Sequence, residues 1–110
     1  MSIITIISDF GYTDHYVAAI KASIYKLNSN LNVVDISHNI KKYNISHAAH
    51  SIRNVYKDFP ERSIHIICVK ASEKKERIVA VKINEHYFIS YDTGIFSLID
   101  LKENYTAVSV

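Results

Sequence analysis

Ile3-Ile4-Thr5-Ile6-Ile7-Ser8-Asp9-Phe10-Gly11-Tyr12-Thr13-Asp14 opens on a β-rich apolar run and breaks at Ser8-Asp9 into a short loop with two carboxylates around one glycine. Uninterrupted apolar character over a short run is the pattern of a strand covered on both faces, as in a parallel sheet. From about residue 14 the apolar period changes. Tyr16, Val17, Ile20, Ile24 and Leu27 share one helical face, while His15, Lys21 and Lys26 lie elsewhere. Asn28-Ser29-Asn30 stops that helix. The chain therefore begins as strand, acidic loop, helix, with Asp9 ending the strand and Asp14 placed to cap the helix.

Outward from this unit the pattern repeats. Residues 31–36 read as a second strand. A second helix, with Ser46 as its expected cap, presents Ala48, Ala49, Ile52, Val55 and Tyr56 on one face and ends at Pro60. Residues 64–69 form a third strand, 70–77 a polar loop, and 78–83 and 86–90 two strands joined by an Asn84-Glu85 turn. Strand-helix-strand-helix-strand followed by a hairpin predicts an α/β fold: a largely parallel sheet with flanking helices, built from two right-handed crossovers. Ligands of such sheets bind outside the carboxyl ends of the strands. That edge is expected to collect Asp9, Ser37, Lys70 and Asp92.

The 110 residues suffice for one domain and one core, burying roughly 65% of the unfolded surface. With 2 Gly and 1 Pro there is neither linker nor low-complexity tract, and there is no internal repeat. The run from Met1 is too short and lacks the basic flank of a signal peptide, and no segment reaches the ~20 apolar residues of a membrane span. One cysteine, Cys68, forms no internal disulfide, which fits a cytoplasmic protein. Its apolar setting reads as buried filler rather than nucleophile. A net charge of +2, with Lys41-Lys42 and Lys74-Lys75 short and separated, does not support a nucleic-acid partner.

Asp9 at a strand end, with two acceptor oxygens, matches the vicinal hydroxyls of a ribose, whereas the missing Gly-rich fingerprint argues against pyrophosphate. Asp9-Phe10-Gly11 and Val17-Ala18-Ala19-Ile20-Lys21 imitate kinase motifs in reversed order and without a catalytic loop, so that reading is rejected. His47 and His50 share a helix face and could be imagined with Asp35 or His38 around a metal. Three or four converging ligands are not evident, however, and surface histidines are the better account, with no metal and no cofactor expected. No serine or cysteine stands in a recognisable triad, and no P-loop is present.

Taken together, Ile6-Ile7-Ser8-Asp9-Phe10-Gly11 with Asp14-His15-Tyr16-Val17, Val33-Val34-Asp35-Ile36-Ser37-His38, Ala48-Ala49 with Phe59-Pro60, Ile64-His65-Ile66-Ile67, and His86-Tyr87-Phe88-Ile89 with Asp92-Thr93-Gly94 resemble one family. It is the S-adenosylmethionine (SAM) hydroxide adenosyltransferases, relatives of SAM-dependent fluorinases and chlorinases. The resemblance spans nearly the whole chain. It implies hydrolysis of SAM to adenosine and methionine by attack of a water-derived nucleophile at the ribose 5′ carbon. It further implies that Asp9, with Phe10 beside it, takes the ribose hydroxyls and that Asp14 holds the methionine end. Tyr16 and Tyr43 would line the site, Asp92 would contact substrate, and Arg77 would orient the nucleophile as a catalytic arginine.

Two departures stand out. Where the family carries an aspartate opening the loop after the third strand, this chain has Lys70-Ala71-Ser72, which puts Lys70 at a catalytic position without the carboxylate. The usual Asp-Asn-Gly reads Asp92-Thr93-Gly94. The resemblance covers the family's N-terminal domain only. A C-terminal β-barrel contributes a histidine and adenine contacts in the family, commonly across a trimer interface. The implied partners are therefore SAM or adenosine and either further copies of this chain or a chain carrying that barrel. The alternative is a catalytically inactive SAM- or adenosine-binding remnant.

Overall fold

The computed structural model describes residues 3–100, 102 and 105–108, so Met1 and Ser2 of the N-terminal run lie outside the described residues. Strand β1 (Ile3–Ser8) is followed by α1 (Tyr16–Leu27), β2 (Asn32–Ser37), α2 (Ile45–Val55) with a 3-10 turn at Tyr56–Asp58, and β3 (Ile64–Cys68). Next come β4 (Ile78–Ile83), β5 (His86–Tyr91), α3 (Ile95–Ile99) and β6 (Thr106–Val108). They form one sheet in the order β2-β1-β3-β5-β4-β6. The pairs β1·β2, β1·β3 and β3·β5 are parallel, and β4 runs antiparallel to both β5 and β6. This is the mixed α/β arrangement expected from the sequence, with the 78–91 hairpin supplying its antiparallel side.

Alternation along each strand decides which helix it meets. Ile7, Ile67, Val81, Ile83 and Phe88 face the main core with Ala48, Ala49 and Ile52 of α2 and Ile95, Phe96 and Ile99 of α3. Ile4 and Ile6 form a second cluster with Ile24 of α1, joined by Ile20, Val33, Ile64 and Ile66. Because neighbouring strand residues point to opposite faces, α1 covers one side of the sheet and α2 with α3 the other. Both faces of β1 are therefore buried, which is why its sequence reads as an unbroken apolar run.

The structure corrects several expectations. Asn44, not Ser46, caps α2: its side chain accepts the N–H of His47 at 3.0 Å, because Ile45 is already inside the helix and partly packed on the core. Asp14 does not cap α1. His15 occupies that position, and the Asp14 carboxylate accepts from the His15 N–H at 2.8 Å and its ring at 2.7 Å. Of the expected α1 face, Val17 and Ile24 are buried, but Tyr16 is 53% and Leu27 88% exposed. Neither α3 nor β6 was expected. At five and three residues they are shorter than one reliable period of their own pattern. The turn between β4 and β5 holds Asn84 and Glu85 at φ 48° and 64°, the two positive values a tight antiparallel hairpin requires.

The main core contains a polar line. Thr5 Oγ1 lies 2.6 Å from His65 Nδ1, and His65 Nε2 lies 3.0 Å from His86 Nδ1, with the rings of Tyr56 and Phe88 around them. Burial, and then the proximity of His86, lowers His65 to about 4 from its ordinary 6.5, and burial lowers His86 as well. Both imidazoles are thus held neutral while the unfolded chain protonates near 6.5. Stability is therefore full above pH 6.5 and falls as pH drops from 6.5 toward 4, by about 2–3 kcal/mol. Urea midpoints measured at pH 7 and pH 5 should show that loss; equal midpoints would mean that the pair is not buried neutral.

Candidate functional site

In the strand order β2-β1-β3, the chain leaves β1 for one neighbour and later returns to the other side. The carboxyl ends of β1 and β3 therefore flank a topological switch point, where connecting loops part and leave a crevice. A cleft of about 680 Å³ opens there, within the size range of small-molecule sites. Asp9 and Phe10 after β1, Cys68, Lys70 and Glu73 at and beyond the end of β3, Lys42 and Tyr43 before α2, and Tyr91 of β5 are among the residues lining it. Ile20, Ile66 and Ile78 supply an apolar floor. A recess adjoining it is lined by Asp9, Phe10, Tyr16 and Lys42.

Four residues lining this cleft are charged, Asp9, Lys42, Lys70 and Glu73. The half-buried Asp9 carboxylate has no hydrogen bond or ion pair from any described residue. Two ammonium groups sit over aromatic rings, Lys42 Nζ 5.3 Å from the centre of Tyr43 and Lys70 Nζ 5.3 Å from that of Tyr91. Such stacking costs the rings no access on their other faces. Cys68 is half-buried and lines the cleft rather than filling the core. Burial, then the charge of Asp9, pushes its thiol up to about 11, so it is not a thiolate nucleophile. Tyr43 has φ 65°, a left-handed conformation rare for an aromatic residue.

Of the residues singled out in the sequence, Asp9, Phe10, Tyr43 and Lys70 meet around the cleft, and Tyr16 joins the adjoining recess. Arg77 and Asp92 lie outside both linings and pair with each other, Nε to Oδ2 at 3.0 Å, at an exposed edge. Asp14 also lies outside the linings, exposed beside His15. Ser37 is absent from the cleft, its hydroxyl accepting the N–H of Asn39. His47 and His50 are exposed on α2, and no group of three metal-ligating side chains occurs among the described residues. Within the loop of residues 70–77 the Glu76 carboxylate accepts the N–H groups of Ala71 and Ser72 at 2.9 and 3.2 Å.

Residues 4–110 match the family model of the SAM hydroxide adenosyltransferase N-terminal domain. The chain belongs to this family. It is 33% identical to a protein of Methanocaldococcus jannaschii named (R)-S-adenosyl-L-methionine hydrolase, over 90% of this chain and 40% of that one. It is 26% identical to a protein of the same name from Thermus thermophilus, over 84% of this chain and 36% of that one. The chain thus spans about two fifths of the length of these relatives. In fold it resembles crystal structures of an uncharacterised conserved protein from Thermotoga maritima and a conserved hypothetical protein from Thermus thermophilus. Their TM-scores are 0.84 and 0.81, each at 24% identity, covering 96% and 100% of this chain and 43% and 48% of those chains.

Within this SAM hydroxide adenosyltransferase domain, one arrangement had no counterpart in the sequence reading. Ser8 Oγ lies 2.5 Å from His38 Nδ1, and His38 Nε2 lies 2.7 Å from Asp35 Oδ1, a serine, histidine and carboxylate in line. Ser8 and His38 are both 0% exposed, so the hydroxyl is shut away from any substrate and is no nucleophile. The residues are 27 and 3 positions apart in sequence and belong to neighbouring strands or the turn beyond one of them. No local motif signals their meeting. The shift of register between Ile6 and Ile7, where β1 skips a residue of β2, was the structural cue that sequence periodicity omits. Among the described residues no helix is long and apolar enough to cross a membrane.

Proposed function

We propose that the cleft at the ends of β1 and β3 binds SAM through its adenosine half and that the chain hydrolyses it to adenosine and methionine. The observation that carries this reading is Asp9: an unpartnered, half-buried carboxylate at the switch point of a parallel sheet, inside an apolar cleft that also holds an aromatic ring at Tyr43. Two acceptor oxygens suit two ribose hydroxyls, and the apolar walls with Tyr43 and Phe10 suit a nucleobase. The names of the relatives from Methanocaldococcus jannaschii and Thermus thermophilus support the same substrate.

In this reading Asp9 accepts both ribose hydroxyls and Tyr16 lines the recess leading to the methionine end. Asp14 and the start of α1 are near enough in sequence to receive the methionine ammonium and carboxylate. A water oxygen forms the new bond to C5′ as the C5′–S bond breaks, with the bonding pair returning to sulfur. Because the sulfonium leaves as a neutral thioether it needs no proton, and the attacking water gives up its one excess proton to solvent water at the open mouth of the cleft. Arg77 would orient that water after leaving Asp92, its present partner. No metal or other cofactor enters the scheme, and self-association or a partner chain would close the site.

A second reading is favoured by Lys70, whose ammonium lines the cleft where a carboxylate would serve as base. An ammonium accepts no proton, which suits binding without turnover, and because it repels a sulfonium it favours neutral adenosine as the bound ligand. Incubation of the purified chain with SAM, followed by chromatography, should yield adenosine and methionine in equal amounts above a protein-free control. Calorimetric binding of SAM or adenosine without products would establish the second reading, and absence of binding at millimolar ligand would remove both.

A further inference from the structure

Ser8, His38, Asp35 and Lys21 form one continuous line beneath the acidic loop. Lys21 Nζ of α1 donates to Asp35 Oδ2 at 2.5 Å, and Asp35 Oδ1 lies 2.7 Å from His38 Nε2. Burial pushes the Asp35 carboxyl up, but the hydrogen bonds from His38 and Lys21 outweigh it and hold it below its ordinary 3.8, so it is ionised and accepts only. His38 Nε2 then donates to Asp35, and in the neutral imidazole this leaves Nδ1 as the acceptor. The Ser8 hydroxyl accordingly donates to Nδ1, and its oxygen accepts the N–H of Phe10 at 3.3 Å. Each member fixes the direction of the next.

The same histidine grips the loop elsewhere. Its carbonyl accepts the N–H of Gly11 at 2.6 Å, with Gly11 at φ 68°. Its ring takes the edge of Tyr12 at 5.1 Å between centroids. The Ile40 N–H donates to the Ser8 carbonyl at 3.3 Å. Residues 8, 10, 11 and 12 are thus all tied, directly or through Ser8, to the turn after β2, while the carboxylate of Asp9 between them has no partner among the described residues. A loop anchored on both sides of one unpartnered carboxylate is a device for presenting that carboxylate at a set position.

We infer that His38, aligned by Asp35 and Lys21 and acting through Ser8, is a positioning residue that sets the Asp9 carboxylate for the two hydroxyls of a ribose. The inference rests on the reading of the cleft as a nucleoside site. It predicts that breaking the line blurs the distinction between ribose and deoxyribose without removing the cleft.

The test is the ratio of affinities for adenosine and 2′-deoxyadenosine, measured by calorimetry on the full chain, on Ser8→Ala, and on Asp35→Asn, which conserves volume. Both ligands see the same folded population, so the ratio does not move when a variant is merely less stable. The unaltered chain should prefer adenosine by about tenfold or more, the worth of one hydrogen bond to a charged acceptor. In both variants the preference should fall by about threefold or more, with adenosine still bound. If the unaltered chain discriminates and both variants keep its ratio, the positioning role is overturned while the nucleoside reading stands. If the unaltered chain binds neither nucleoside, the nucleoside reading itself fails, and if it binds both equally, the assignment of Asp9 to the ribose hydroxyls fails; the inference falls in either case.

Discussion

Replacing Asp9 by alanine is expected to weaken adenosine binding by about a hundredfold or more while leaving thermal stability unchanged or slightly raised. Two hydroxyl donors to one carboxylate are charge-assisted bonds, each worth about 1.5–3 kcal/mol when the group is withdrawn from water. Their joint loss exceeds the tenfold that a single contact would give. The fold has little to lose, because Asp9 is half-buried and no described residue donates to its carboxylate. Removing a partly desolvated charge without a partner relieves rather than strains the native state. Calorimetry with adenosine and a thermal melt of the same sample decide it. An unchanged affinity would sink the ribose assignment, and a collapse of the melting transition would show that Asp9 holds the fold instead.

The largest effect on stability is expected at Phe88, the ring at the centre of the main core. Phe88 is 0% exposed. Its ring stands edge-on to Tyr56 at 5.1 Å and 79° and lies tilted over His65 at 4.9 Å. Phe88→Ala removes the transfer energy of a buried ring and leaves a cavity that a sheet on one side and α2 with α3 on the other cannot fill, costing about 3–5 kcal/mol. Loss of the aromatic pairs adds about 0.5–1.5 kcal/mol. Against a total of about 5–15 kcal/mol for a domain of ordinary stability, this leaves the chain close to its unfolding threshold. Urea unfolding should show the midpoint fall accordingly. A change below about 1 kcal/mol would mean that the core repacks around the gap.

These two residues also mark what the sequence made legible. Phe88 lies in a short β-rich run, Tyr87-Phe88-Ile89, that reads as a strand but does not show which of the three faces the core, and Asp9 ends a run whose double burial is written in five successive β-formers. Strands and helices of that kind announce themselves through period alone. Caps were less legible at α2, where Asn44 and Ser46 are both competent and only the packing of Ile45 chooses between them. The short α3 has no period to read, and it is set by Gly94 at φ 84° followed by three residues that reach the core. At the cleft, Asp9 and Lys70 were legible because strand ends and the family likeness both indicate them, and Phe10 and Tyr43 through the family likeness. The line from Ser8 to Lys21 was not, since it depends on the register of β1 against β2. Nor was the pairing of Arg77 with Asp92, which joins the beginning of β4 to the end of β5 through an antiparallel register that residue spacing leaves open.

Tyr43 shows that one position can answer to two demands. A tyrosine held at φ 65° costs about 1–3 kcal/mol relative to a relaxed backbone, a strain that glycine at that position would relieve. Selection acting on folding alone would therefore drift toward glycine here, and the chain would gain stability as its cleft lost a wall. On the proposed reading of the cleft, thermostability and ligand recognition pull in opposite directions at this tyrosine, so that a search for sturdier variants of this domain would be drawn to a substitution that disarms it.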